Sequence, residues 1–142
     1  MKIGRWILLA LVLAGAGYYA WRRYRPTEAP KTAVAEYAPE AKAPQGVRIK
    51  VEVLNATSTK GLARKATTYL RDRGFDVVLI GTSKDRRDKT LVLDRSQHAD
   101  WAKLVAAAFG AGVQEKPDSA RYLDVTVLVG SDWHPPPLPF YP

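Results

Sequence analysis

An uncharged, mostly apolar run of 16 residues, from Trp6 to Trp21, constrains this chain more than any other feature. As an α-helix it would be about 24 Å long, somewhat short of the roughly 30 Å hydrocarbon core of a bilayer. Aromatic residues near both ends are typical of the interfacial belts of spanning helices, and the flanking basic side chains extend toward the headgroups. The run therefore predicts a transmembrane anchor within residues 1–25, contacting membrane lipid through residues 6–21.

A cleaved signal peptide is the alternative interpretation of this run, with Ala14-Gly15-Ala16 as the small-residue cleavage site. Cleavage there would leave Tyr18, Tyr19 and Trp21 at the start of the mature chain with no bilayer to cover them, which favours the anchor. Basic residues flank the run on both sides in nearly equal number, so charge alone does not assign its orientation. The chain has no cysteine, which is compatible with an oxidising compartment.

Residues 26–46 differ sharply in composition from the run before them. They contain four prolines, many alanines and charges of both signs, with too few large apolar residues to form a core. This composition predicts a disordered or polyproline-like linker. The globular part is expected at residues 47–133, a length that suits one small domain, and residues 134–142 are expected to be a proline-rich tail.

The spacing of apolar residues predicts a strand-helix-strand-strand-helix-strand order within residues 47–133. Val47 to Leu54 alternates apolar and charged residues, as a half-buried strand does. Helices are expected to begin near Leu62 and Trp101, later strands at residues 75–80, 90–93 and 123–129, and an optional short strand at 113–115. The expected fold class is α/β (α+β), a single small two-layer sandwich with two helices on one face of a mostly antiparallel sheet.

Four segments of this region resemble the LytR C-terminal domain family. They are VRIKVEVLNATSTKGLARKA from Val47, GFDVV from Gly74, TLVLD from Thr90 and YLDVTVLVG from Tyr122. The resemblance implies a domain of the bacterial cell envelope with an extracytoplasmic C-terminal side, which would orient the anchor. The family often follows a LytR/CpsA/Psr catalytic domain that attaches glycopolymers to the cell wall. Residues 1–46 provide only the predicted anchor and linker, so that activity is not carried over.

The turn before the first helix is the first candidate ligand site, because a helix start presents free N–H groups and a positive dipole end. Its candidate residues are Asn55, Thr57, Ser58 and Lys60. Helix capping is their alternative role, and Ala56 and Ser58 stand where the family has glycines, which disfavours a backbone anion nest. Arg64 and Arg71 extend the candidate site along the polar face of the helix, where a solvated surface is the alternative.

The charge and side-chain inventory limits the classes of function. The formal net charge is +8, but residues 47–142 carry 15 basic and 11 acidic side chains, too mild an excess to indicate nucleic-acid binding. The only histidines are His98 and His134, and no Cys/His cluster has metal-ligand spacing, so no metal or other cofactor is predicted. Ser96, His98 and Asp100 lie close in sequence, but a catalytic triad is defined by geometry.

The sequence therefore predicts a single-pass membrane protein whose extracytoplasmic domain is a non-catalytic binding or interaction module of the cell envelope. Its expected partners are membrane lipid together with an anionic cell-wall polymer or an envelope protein. The alternative is a small hydrolase or transferase of cell-wall polymers, which would need carboxylates or histidines converging in a pocket.

Overall fold

The computed structural model describes residues 12–20 and 32–137. Residues 12–20 are helical and belong to the predicted anchor, while the rest of that run and the tail beyond residue 137 lie outside the described residues. Within the two described ranges, no helix has both the length and the apolar character needed to cross a membrane.

Six strands and two helices make up the part of the chain from residue 32 to residue 137. In chain order they are β1 (Ala33–Val34), β2 (Lys50–Asn55), α1 (Leu62–Arg71), β3 (Asp76–Thr82), β4 (Leu91–Asp94), α2 (Ala99–Phe109), β5 (Gly112–Glu115) and β6 (Val125–Val129), with a 3-10 turn at Ser119–Arg121. The strands form one sheet in the order β1-β5-β4-β6-β2-β3. The predicted order of elements after residue 47 is present, and the optional strand is formed as β5.

The prediction of a mostly antiparallel sheet is wrong. Within the described residues, β2 runs parallel to both β3 and β6, and β4 runs parallel to β5, which leaves β4–β6 and β1–β5 as the antiparallel pairs. The reason is connectivity, since α1 links β2 to β3 and α2 links β4 to β5. A helical crossover returns the chain to the same end of the sheet and therefore joins parallel neighbours.

Both helices pack on one face of the sheet, as predicted. The main core joins residues of α1 and α2 to the alternate strand positions Val51, Val53, Val92, Val125 and Val127. A smaller apolar cluster on the opposite face contains Leu91, Leu93 and Leu128 and no helix residue. The rings of Tyr69, Phe109 and Trp133 pack together near the C-terminal ends of the two helices, with centroids 5.3–5.6 Å apart.

The prediction of a disordered linker is wrong for residues 32–46, which we call the strap; residues 26–31 lie outside the described residues. The strap adds β1 to the sheet beside β5 and continues along the domain. Backbone N–H groups of Ala35, Ala38 and Ala43 donate to the carbonyls of Ala111, Ala107 and Arg73 at 2.8–3.0 Å. Small side chains of the strap, Ala35, Ala41 and Ala43, are partly buried against the main core.

Glycines of the domain permit the strap to approach closely. A Cβ atom at Gly112 would collide with Thr32, and one at Gly110 would lie 3.3 Å from the Tyr37 side chain. The ordering of this alanine- and proline-rich segment therefore comes from backbone hydrogen bonds and close contact with glycines rather than from large apolar side chains.

Candidate functional site

The side chains of the predicted turn site form hydrogen bonds within the turn itself. The Asn55 Oδ1 atom accepts hydrogen bonds from the backbone N–H and hydroxyl of Thr57, at 2.9 and 2.8 Å, and Asn55 Nδ2 donates to the Thr59 carbonyl at 2.7 Å. The Thr59 N–H in turn donates to the Thr57 hydroxyl at 3.1 Å. Asn and Thr side chains commonly close turns in this way. Asn55 and Thr57 therefore shape the turn, and they have little capacity left for a ligand.

The alternative role of these residues, side-chain capping of the helix, is wrong for this turn. The N-cap of α1 is Gly61, with φ at 79° and no side-chain hydrogen bond to the helix. A positive φ at this position favours glycine, because residues with a side chain are strained in that conformation. Ser58 and Lys60 are exposed beside this helix start.

The basic face of α1, made of Lys60, Arg64, Lys65 and Arg71, is the part of the candidate site that stays available. All four residues are exposed, and α1 itself contains no acidic residue. Ion pairs within the described residues involve Arg48 and Arg121, and none involves these four. The face therefore presents positive charge that the domain does not neutralise, as an anion-binding surface requires.

Arg71 shows which way this face points. Its Nη2 atom donates a hydrogen bond of 2.9 Å to the carbonyl oxygen of Val77 in β3. Arg64 precedes it by seven residues and, at 100° per residue, lies within about 20° of it around the helix. The two guanidinium-bearing positions thus form one line along the side of α1 that faces β3.

β3 is the outer strand on this side of the sheet, and it pairs only with β2 among the described strands. Three consecutive apolar residues in it are open to solvent, Val78 at 42%, Leu79 at 51% and Ile80 at 51%. The sequence does not predict this surface, because an unbroken Val-Val-Leu-Ile run is typical of a fully buried strand. No sequence signal separates the two cases without the strand order.

A buried polar network on the face of the sheet opposite the helices was also not predicted from the sequence. Glu52, expected on a solvated strand face, is only 6% exposed. Its carboxylate pairs with Arg121 at 3.3 Å and accepts a hydrogen bond of 3.0 Å from the hydroxyl of Thr126. Arg95 Nε also donates to that hydroxyl at 3.0 Å. These groups satisfy one another and hold the 3-10 turn against the sheet, so the network has a structural role.

Ser96 and His98 do meet, although their proximity in sequence did not require it. The His98 Nδ1 atom lies 3.1 Å from the Ser96 hydroxyl, and the imidazole stacks on the Trp101 ring at 4.0 Å. In the described part of the chain no carboxylate contacts this imidazole, so the orienting member of a triad is missing there. The same ranges hold no group of three potential metal ligands in a suitable arrangement.

Tyr69 anchors the C-terminal half of α1 to α2 and the strap. Its hydroxyl donates to the Ala108 carbonyl at 2.7 Å, and the Arg73 guanidinium lies 3.5 Å from its ring centroid. Burial raises the pKa of the Tyr69 hydroxyl above its ordinary value, and Arg73 opposes part of that increase. Arg73 also donates to the Pro39 carbonyl at 2.7 Å, which fastens the strap to this end of the helix.

These features define a small mixed α/β domain with a basic helix face and no assembled catalytic centre among its described residues. The family model described as LytR cell envelope-related transcriptional attenuator matches residues 48–133, which is more than half of the chain. The chain therefore belongs to this family, which confirms the resemblance found in the sequence, and it carries a cell-envelope-related domain.

Other comparisons add little to this assignment. The chain is similar to the soluble domain of a conserved hypothetical secreted protein from Mycobacterium marinum, with 18% identity over 71% of this chain and 74% of that one. The TM-score of 0.47 marks this as a distant likeness in fold. A comparison with curated proteins finds no match.

Proposed function

We propose that this protein is a membrane-anchored, extracytoplasmic, non-catalytic interaction module of the cell envelope, and that it holds an extended anionic envelope component against the basic face of α1. The observation that carries the proposal is the uncompensated charge of this face. Four basic residues lie between positions 60 and 71 with no acidic residue among them, and none has an ion-pair partner within the described residues.

The spacing of the charges supports an extended ligand. Arg64 and Arg71 are separated by about 10 Å along the helix axis, and Lys60 is exposed just before the helix start. Successive negative groups of a linear polymer or an extended chain can meet such a line one after another, whereas a compact anion would contact a single residue. Guanidinium groups suit this role because they bind carboxylate and phosphate through paired N–H donors.

The anchor and the cellular side remain parts of the proposal. The Trp6–Trp21 run supports a single span, and the family's envelope-related description supports an extracytoplasmic domain. Flotation of the full chain with vesicles after an alkaline wash tests the anchor, and protease accessibility in intact cells tests the side. An intact mass that retains Trp6 supports the uncleaved anchor, whereas a mature start after residue 16 contradicts it.

Binding to a defined anionic polymer tests the site. The full chain in neutral detergent is titrated with poly(glycerol phosphate), and the double variant Lys60→Gln/Arg64→Gln is compared with Lys103→Gln/Lys116→Gln, a matched pair of exposed lysines elsewhere. Loss of two charge-assisted contacts is expected to weaken binding at least about tenfold in the first variant only. Equal weakening in both variants would indicate a net-charge effect and would overturn the assignment of the site.

The Ser96–His98 contact of 3.1 Å favours a second candidate function, hydrolysis or transfer of a cell-wall polymer. Incubation of the full chain with isolated cell walls separates the two functions. Time-dependent release of polymer that His98→Ala abolishes would establish the enzyme and refute the non-catalytic module. A constant amount of intact polymer, bound in proportion to protein, supports the module.

A further inference from the structure

The open edge of β3 is the surface that the proposed function leaves unused. A strand at the edge of a sheet presents unpaired backbone N–H and C=O groups, and proteins usually protect such edges with charged residues, prolines, bulges or covering segments. Between Val77 and Thr82, β3 contains neither a charged residue nor a proline. A register shift lies opposite Val51 and Glu52, near the start of the strand, and leaves the stretch from Leu79 to Thr82 in regular pairing with β2.

The exposed side chains add an apolar surface to that edge. Leu79 pairs in register with Glu52 and Ile80 with Val53, so successive side chains point to opposite faces of the sheet. Both are about half exposed. An added strand would cover Leu79 on one face and Ile80 on the other, which removes apolar area from water in addition to pairing the backbone.

Charge complementarity identifies the kind of strand that fits. Arg71 already reaches the edge through its bond to the Val77 carbonyl, and Arg64 lies on the same line of α1. Asp76, the acidic residue of β3, is paired with Arg48 and contributes little free negative charge. A strand lying along β3 would therefore run beside uncompensated guanidinium groups, and acidic side chains would stabilise it there.

A second copy of this chain fits poorly. Two β3 strands pairing antiparallel would be related by a two-fold axis perpendicular to the sheet, which puts both α1 helices on the same face of the joined sheet. The line of Arg64 and Arg71 from one copy would then face the same line of the other across the seam. Like charges in such a position cost interaction energy and disfavour the dimer.

We propose that the β3 edge is a strand-addition site for an extended, acidic polypeptide segment of an envelope protein. The segment pairs with the backbone of β3, places successive side chains beside Leu79 on one face and Ile80 on the other, and directs carboxylates toward Arg64 and Arg71. This deepens the proposed function, because it shares those two arginines and names a polypeptide as the anionic component.

A synthetic peptide, EVTVTVTVE with both termini blocked, tests the site on the full chain in neutral detergent. Two matched peptides serve as controls: KVTVTVTVK reverses the charge, and EVTVPVTVE removes a central backbone N–H. Binding is measured by calorimetry, and hydrogen–deuterium exchange follows the amides of β3 (Asp76–Thr82) and β5 (Gly112–Glu115). The acidic peptide is expected to slow exchange in β3 only, and each control peptide is expected to bind at least about tenfold more weakly.

Two protein variants separate the edge from the rest of the surface. Leu79→Glu removes apolar area from the edge and adds a charge of the same sign as the peptide, so it is expected to weaken binding of the acidic peptide at least about tenfold. Tyr122→Glu changes another exposed apolar residue, 82% accessible and outside the sheet, and should leave binding within about twofold. Unchanged binding in Leu79→Glu, equal binding of the proline peptide, or no protection of β3 would each overturn strand addition.

The polymer titration keeps this inference distinct from the proposed function. If poly(glycerol phosphate) binding depends on Lys60 and Arg64 while the acidic peptide does not protect β3, the proposed function stands and strand addition is wrong. If the full chain forms dimers that the acidic peptide fails to dissociate and Leu79→Glu abolishes, a second copy occupies the edge and the polypeptide assignment is wrong. Peptide binding that needs both Leu79 and Arg64 supports the inference.

Discussion

The two edges of the sheet are finished in different ways. At one edge the strap lies beside β5, pairs with it through β1 and continues over Gly110 toward Arg73. At the other edge β3 pairs only with β2 and has no strand on its outer side among the described residues, although it carries the more apolar sequence. In the described part of the chain, a segment of alanine and proline thus covers a short strand, whereas the seven-residue strand β3 has no neighbour on its outer side.

This difference separates structure from function. A covered edge is protected from pairing with other chains, whereas an open apolar edge is an aggregation hazard unless a partner uses it. The nearest polar group of α1 at that edge, Arg71, bonds a single carbonyl and leaves Val78 to Ile80 uncovered. The strap edge therefore contributes to the stability of the fold, and we propose that the β3 edge serves interaction with a partner. Each of the following predictions tests one side of this division.

Replacing the strap is expected to have the largest effect. Substitution of residues 32–46 by a glycine-serine segment of equal length removes the packing of three alanines and raises the entropy cost of ordering the strap. The strap is therefore expected to detach and to lose its three backbone hydrogen bonds and the β1 pairing. The free energy of unfolding should fall by about 3 kcal/mol, because each hydrogen bond contributes roughly 1 kcal/mol and ordering the strap offsets part of the burial. Urea unfolding of the full chain measures it.

Hydrogen–deuterium exchange gives the internal control for that variant. Exchange should accelerate in β5 and remain unchanged in β3, since only β5 loses a neighbouring strand. A replacement that leaves both the unfolding free energy and β5 exchange unaltered would show that the strap is a linker after all, as its composition suggests.

Removing the contacts that Arg73 makes with the strap and with Tyr69 should have a smaller effect. Arg73→Ala removes the bond to the Pro39 carbonyl, a second bond to the Tyr69 carbonyl and the contact over the Tyr69 ring. A loss of about 1.5 kcal/mol is expected for these partly exposed interactions. Arg86→Ala, in an exposed loop, is the matched control and should change the unfolding free energy by less than about 0.5 kcal/mol. Similar losses in both variants would argue against a specific role of the Arg73 contacts.

The sequence could predict much of the fold and little of this division. The period-two pattern from Val47 and the helical spacing after Leu62 are local signals, and both elements are present. Strand direction and order depend on which crossovers the helices make, and the strap depends on glycines more than 60 residues away, such as Gly110 and Gly112. Neither dependence leaves a periodic pattern in the chain.

The candidate site shows the same limit. The basic face was visible because charge on a helix is a local property, and Arg64 and Arg71 lie on one side by helix geometry alone. The turn residues Asn55 and Thr57 bond to each other within the turn, and their sequence does not reveal this contact. The exposure of Val78–Ile80 could not be predicted from the sequence, since the same apolar run in the middle of the sheet would be buried.

A titration of Tyr69 links the strap to the electrostatics of the core. Burial and the neighbouring Tyr37 of the strap raise the pKa of its hydroxyl, and Arg73 lowers it. An acid with a raised pKa keeps the folded state more protonated than the unfolded state, so its contribution to stability is full below a pH of about 10 and is lost as the pH rises further. Strap replacement should move the Tyr69 pKa back toward the ordinary value, measured as tyrosinate absorbance.

The variant Tyr69→Phe identifies the signal in that titration. It should remove one raised tyrosine from the absorbance curve and flatten the alkaline loss of stability. It should also cost about 1 kcal/mol near neutral pH, because the hydrogen bond to the Ala108 carbonyl is lost. If strap replacement leaves the raised tyrosine in place, the strap does not cover Tyr69, and the contrast between the two edges is weaker than the contacts indicate.

The smallest effect is expected at the β3 edge, and it is the most direct test of the comparison. Leu79→Lys adds a charge to a side chain that is 51% exposed and that, by its register with Glu52, lies on the face of the sheet away from the helices. The unfolding free energy should change by less than about 0.5 kcal/mol, the usual range for surface positions. Solubility should rise, because a lysine on an edge strand discourages pairing with other chains.

Such a small change next to the large effect of strap replacement would establish that one edge supports the fold and the other does not. Val34→Lys is the matched substitution at the strap edge, where an exposed side chain stands on the short strand β1. It should also be nearly neutral, since the backbone of the strap, and not this side chain, makes the contacts. A loss above about 1 kcal/mol in Leu79→Lys alone would mean that the folded chain covers its own β3 edge, because only a buried position responds so strongly to a charge. Strand addition by a partner would then have no free edge to use.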